Sequence, residues 1–150
     1  MTKQAQNLHK YLSTMDYHPF PLLINSVGYY QIEVFIREKS LNFILDTGAS
    51  KTLIHQGTAE KLACQLEDTF GTGGGVGTSE AKIYLTDIQE IRILDYMLGG
   101  LTIYCMDLEH VNIALAMREE APVDGVIGFD LLDQKEAVID FKSQTLFLKR

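Results

Sequence analysis

The chain has 150 residues, 46% of them hydrophobic, and a formal net charge of −7. That length suits one domain with a real core, and the apolar content excludes a disordered chain. No Lys/Arg block interrupts the acidic balance, so neither nucleic acid nor an anionic membrane surface is an expected partner.

Met1 to Asp16 is polar and mixed in charge, without the apolar stretch or small-residue cleavage site of a secretory signal. Ala5, Leu8 and Leu12 recur at helical spacing, which predicts a short amphipathic helix over Thr2–Thr14. His18-Pro19-Phe20-Pro21 ends it, because proline disfavours helical backbone in the residue before it. Residues 1–21 therefore read as an N-terminal extension, and 22–150 as the domain proper.

From Leu22 onward the pattern is that of strands. Tyr30 to Val34 alternates polar and apolar residues, Arg37-Glu38-Lys39-Ser40 reads as a charged turn, and Leu41 to Leu45 returns as the second arm of a hairpin. Thr52 to Ile54 resumes a strand, Gln56 to Gln65 reads as a short helix, and Gly71 to Gly77 holds five glycines in seven residues. Lys82–Leu85, Glu90–Leu94 and Leu101–Met106 are three further strand candidates, and Leu108–Glu120 a helix closed by Ala121-Pro122. Gly128 to Asp133 opens another short helix. Ala137–Phe141 and Thr145–Leu148 close the chain as strands joined by Lys142-Ser143-Gln144. Many short strands with little helix predict an all-β, barrel-like domain.

One stretch carries chemistry. Phe43-Ile44-Leu45 runs straight into Asp46-Thr47-Gly48-Ala49-Ser50, so a stiff buried strand delivers a carboxylate to a tight loop. Gly48 permits a close backbone approach, and the Thr47 hydroxyl can support the loop by hydrogen bonding. Downstream, Val123-Asp124-Gly125-Val126-Ile127-Gly128-Phe129 precedes the predicted helix, with Gly128 82 residues beyond Asp46. The glycine cluster is not a phosphate cradle, since no helix follows it and no Lys-Ser/Thr pair accompanies it. The four histidines are scattered, without metal-ligand spacing to Cys64 or Cys105, and no His-Glu-x-x-His or Gly-x-Ser-x-Gly occurs. No metal and no cofactor is expected. Isolated cysteines fit a reducing compartment, so a cytoplasmic location is expected.

The Asp46-Thr47-Gly48 loop and the Val126-Ile127-Gly128 stretch resemble the two landmarks of aspartic peptidases, and the single loop per chain resembles the retropepsin-like branch. The resemblance runs from about Tyr30 to Arg150 and implies an acid-protease-like closed β-barrel, one retropepsin-like lobe. It further implies a homodimer in which Asp46 of each copy forms a dyad that hydrolyses a peptide or protein substrate, with Thr47 and Gly48 completing the catalytic loop. Gly48 and Ala49 would offer backbone groups to the substrate, and Gly73, Gly74 and Gly75 would cover it as a flap. Asp124 and Asp130 are expected to fix backbone, and strand Thr145–Leu148 to contribute to the dimer interface.

Two positions depart from the viral members of that branch, which usually carry Arg after the landmark glycine and Asp after the catalytic Ala. Here they are Phe129 and Ser50, so a salt-bridged brace is absent. The rival to an enzyme is a catalytically silent dimer of the same fold, acting as a peptide-binding or assembly module.

Overall fold

A computed structural model describes residues 1–73 and 81–150. Its strands are β1 (Tyr17–Pro21), β2 (Leu23–Ile24), β3 (Tyr30–Ile36), β4 (Lys39–Leu45), β5 (Leu53–His55), β6 (Glu67–Gly73), β7 (Ala81–Ile93), β8 (Tyr96–Met106), β9 (Gly125–Ile127), β10 (Val138–Asp140) and β11 (Thr145–Lys149). The helices are short: α1 (Lys3–Thr14), α2 (Gln56–Lys61), α3 (Glu109–Ala116) and α4 (Phe129–Gln134). The class is all-β, as the sequence predicts. Among the described residues no helix is long and apolar enough to cross a membrane.

The larger sheet runs β2-β3-β4-β9-β5-β8-β7-β6. Phe35 and Ile36 of β3 also pair with Arg92 and Ile91 of β7, which joins β3, β4, β9, β5, β8 and β7 into a ring. Phe43 faces the main core with Ile32, Val34 and Ile54, while Ile44 faces a second core with Leu108, Leu115, Val123 and Val126. The end of β4 is thus buried on both faces, which is why Phe43-Ile44-Leu45 is apolar without alternation. Gly125 of β9 lies where a Cβ would stand 2.4 Å from the Phe43 ring and 2.6 Å from the Leu53 carbonyl, so only glycine lets β4, β9 and β5 close up.

A three-stranded sheet, β1-β11-β10, completes the fold. The helix expected over Thr2–Thr14 is present as α1, with the Thr2 hydroxyl accepting from the Ala5 N–H at 3.3 Å. The proline-rich segment after it is not only a breaker. Tyr17–Pro21 is strand β1, paired residue for residue with β11, and it tolerates Pro19 and Pro21 because it is an edge strand. Strand β11 therefore has both edges occupied within the chain, by β1 and β10. A contribution of Thr145–Leu148 to an interface would therefore be made by side chains and not by further strand pairing.

Other boundaries differ for local reasons. The β3–β4 turn is two residues, not four. Ile36 pairs with Lys39, and Arg37 and Glu38 both take positive φ (48° and 64°), as a tight twisted hairpin requires. The first two strand candidates after the glycines are one strand, β7, whose register against β8 shifts between Ile88 and Ile91. That bulge leaves Gln89 and Glu90 both exposed and breaks the alternation on which a sequence reading relies. Gly71 to Gly73 end β6, where the sequence predicted loop, and α2 and α3 are each shorter than expected.

Candidate active site

Asp46 stands where β4 ends. Leu45 is paired with Tyr30 on one side and with Ile127 on the other, so the end of the strand is clamped between β3 and β9. The Asp46 N–H donates to the Ile127 carbonyl at 3.0 Å, and the Asp46 carbonyl accepts from the Ala49 N–H at 3.1 Å, closing the loop into a turn. Gly48 donates its N–H to Asp46 Oδ1 at 2.9 Å. A Cβ on Gly48 would lie 3.2 Å from that same oxygen, so glycine keeps the approach to the carboxylate open. The carboxylate is exposed, and among the described residues Oδ2 has no hydrogen-bond partner.

Beneath the loop, the Phe129 N–H donates to the Ala49 carbonyl at 2.8 Å. Gly128 is pressed against the loop so closely that a Cβ would meet the Lys51 carbonyl carbon and oxygen at 2.5 Å and the Ala49 oxygen at 2.9 Å. The landmark glycine thus packs under the loop. The pin that joins the two is Thr52, only 5% accessible. Its hydroxyl accepts from the Gly128 N–H at 3.0 Å and donates to Asp130 Oδ1 at 2.8 Å. The same carboxylate oxygen takes the Thr52 N–H at 2.7 Å and the Leu131 N–H at 2.8 Å. Asp124 has a similar role on the neighbouring strand, accepting from the Asn42 N–H at 2.9 Å and the Thr58 hydroxyl at 2.7 Å. Both acids hold backbone, as the sequence reading has them.

A cavity of about 720 Å³ opens over the loop. Asp46, Gly48 and Ala49 lie in its lining, with Tyr30 and Leu45 from β3 and β4, and Gly73 and Ile83 from β6 and β7. Tyr104 and Met106 of β8, together with Leu108 and Val111 around α3, supply more apolar surface. Of the residues predicted to touch substrate, Ala49 and Gly73 meet in this cavity, while Gly74 and Gly75 lie outside the described residues. Thr47 is exposed, is not in the cavity lining, and makes no hydrogen bond among the described residues. The buried supporting hydroxyl is that of Thr52, which sequence reading missed. Its signal was a hydroxyl residue opening the apolar run Leu53-Ile54, with an acid two residues past the landmark glycine. Tyr104, Met106, Leu108 and Val111 were missed as well, for no local motif marks them.

The fold also gathers groups that the sequence scatters. Ligand-type atoms of His55, Asp107 and Glu109 lie within 4.8 Å of one another. The His55 Nδ1 accepts the Leu108 N–H at 2.9 Å, and Asp107 Oδ1 accepts the Glu109 N–H at 2.8 Å, so these side chains tie down the start of α3. Cys105 is fully buried, and burial pushes its thiol up to about 12, with Cys64 and Glu60 adding to the effect. It stays protonated and is no nucleophile.

Comparison with known proteins places this geometry in context. The family profile described as "Aspartyl protease" matches residues 32–131. Comparison by sequence with curated proteins gives no match. Among solved structures, the chain is similar to a retropepsin-like aspartic protease from Rickettsia conorii, with a TM-score of 0.60 and 21% identity over 88% of this chain and 98% of that one. The retroviral protease-like domain of Ddi1 from Leishmania major aligns with a TM-score of 0.51 and 20% identity, covering 79% of this chain and 86% of that one. EIAV protease, solved with the inhibitor HBY-793, aligns at 0.56 and 20% identity, covering 79% and 99%.

Proposed function

The chain belongs to the aspartyl protease family, and on that premise we propose that it is an aspartic endopeptidase whose site is completed by a second copy. Each chain carries one Asp-Thr-Gly loop, and the mechanism needs two carboxylates. Two such groups a few Å apart cannot both ionise cheaply, so they share a proton. The ionised member takes a proton from water as its oxygen attacks the scissile carbonyl carbon, and the protonated member gives its proton to the carbonyl oxygen. As the tetrahedral diol collapses, one carboxyl gives its proton to the departing nitrogen while the other takes a proton from a diol hydroxyl, so the C–N bond breaks to acid and amine and the dyad again holds one proton.

The other residues have supporting roles. Because the Gly48 N–H is already given to Asp46 Oδ1, what Gly48 offers a substrate is its carbonyl. Ala49 floors the cleft beside it, and Gly73 at the end of β6 covers the bound peptide. In the two-copy site the exposed Thr47 hydroxyl supports the paired loops. Cys64 and Cys105 are both free, which fits a reducing, cytoplasmic setting.

The observation that carries this reading is the held carboxylate: Asp46, exposed in the lining of an apolar cleft, on a loop pinned from beneath by Gly128 and Thr52. The test is cleavage of a peptide library by wild type and by Asp46→Asn, which is nearly isosteric but cannot serve as a base. Wild type should cleave and the variant should not. Cleavage retained by Asp46→Asn overturns the assignment, and peptide binding without cleavage by wild type identifies a silent binding module instead.

A further inference from the structure

The cleft over Asp46 carries basic side chains that the hydrolysis itself does not use. Among the described residues Asp46 is the only carboxylate in the lining, whereas Lys51 and His110 both line it. The chain has 20 acidic residues against 13 Lys and Arg, so a cleft with more bases than acids runs against its composition. The Lys51 backbone is fixed from beneath. Its carbonyl is packed against Gly128, and the Thr52 N–H next to it donates to Asp130 Oδ1 at 2.7 Å. Thr52 turns its hydroxyl inward to Gly128 and Asp130, while its neighbours Lys51 and Leu53 stand in the cleft lining. The Lys51 ammonium lies 5.9 Å from the centroid of the Tyr104 ring, which also lines the cleft. Among the described residues Lys82, Arg92 and Lys149 each have a carboxylate within 4.0 Å, and Lys51 has none.

We propose that Lys51 makes this cleft select peptides that carry an Asp or Glu side chain near the scissile bond. This rests on the peptide-cleaving reading above and adds the charge of its substrate. A substrate carboxylate can accept from the Lys51 ammonium while the peptide covers the Tyr104 ring, and shielding from water strengthens that contact. His110 adds a ring N–H donor, which an imidazole offers whether neutral or protonated. A substrate Lys at the same place meets like charge and gives up water without gaining a partner, so the cleft discriminates against it. Ile44, Leu53, Ile83 and Met106 line the rest of the cleft and bring no charge of their own, so Lys51 sets the sign.

The test is binding of matched fluorescent peptides whose central amide is replaced by a hydroxyethylene group, which is neutral and cannot be cut. Each apolar peptide carries Glu, Gln or Lys at one position, scanned along its length, and is measured by anisotropy in 0.15 M salt. At that ionic strength the negative field of the whole chain is screened beyond about 8 Å, so local contacts decide. At one or more positions wild type should bind the Glu form about tenfold tighter than the Lys form, with Gln between them. Lys51→Glu should reverse that order. Lys10→Glu makes the same change in net charge on α1, outside the lining, and should keep it. Equal binding of Glu and Lys forms at every position overturns the inference. So does an order that Lys51→Glu leaves standing or that Lys10→Glu also reverses. The same peptides with an ordinary amide separate the inference from its premise. Discrimination without cleavage by wild type overturns the enzyme and leaves the charge preference in place, and cleavage without discrimination does the opposite. Binding and cleavage of none of the peptides overturns both.

Discussion

Thr52 gives one hydroxyl two tasks: it accepts from Gly128 and donates to Asp130, and so couples the segment after the Asp46 loop to the end of β9 and the start of α4. Thr52→Val keeps the shape and removes the hydroxyl, leaving a buried N–H without its acceptor. The loss should be about 1–3 kcal/mol of folding stability, whereas Thr52→Ser should retain most of it. Urea denaturation of the three chains measures this, and an unshifted midpoint for Thr52→Val would show that the hydroxyl contributes nothing. At this scale the sequence was legible only where one residue type has a local meaning. Asp46 after three apolar residues and Gly128 before a short helix are such cases. Thr52 was not, because its role exists only once residues 76 and 78 positions away are brought against it.

Among elements, the β10–β11 turn shows how a short polar segment is held. The Ser143 hydroxyl donates to Asp140 Oδ2 at 2.6 Å, and the Lys142 N–H donates to Oδ1 at 3.0 Å. The Ser143 hydrogen bond, with these backbone donors and His9 helping, holds the Asp140 carboxyl below the usual carboxylate range. A folded-state value below the unfolded one adds stability above the unfolded value, about pH 4, and that stability is lost as pH falls through the folded value. Ser143→Ala removes the largest cause. Wild type should therefore be more stable than the variant from about pH 4 upward, and the two should converge in stronger acid. Denaturation across a pH series reads this directly, and a gap that widens on acidification would reverse the sign and sink it. The turn itself was legible from Lys142-Ser143-Gln144. The bulge in β7 was not, since a one-residue slip in register looks, in sequence, like the end of a strand.

For the molecule as a whole, fold class follows from many short strands. Ring closure through β3 and β7, and the terminal sheet paired within one chain, rest on non-local pairings that no motif announces. In the proposed two-copy enzyme those pairings limit how the copies can meet, and charge decides how easily. Each chain carries a formal charge of −7, so association brings together two bodies of the same sign. If apolar side chains make the contact there is no ion-pair attraction for salt to weaken, whereas the long-range repulsion is screened over about 10 Å at 0.1 M ionic strength. Raising salt from low to physiological levels should therefore tighten the dimer. At enzyme concentrations near Kd, cleavage per chain should rise with salt, and the gain should fade at high enzyme concentration, where dimer is already saturated. Sedimentation and a cleavage assay at several salt and enzyme concentrations test this together. A dimer that weakens as salt rises would mean that ion pairs, not apolar contacts, hold the two copies.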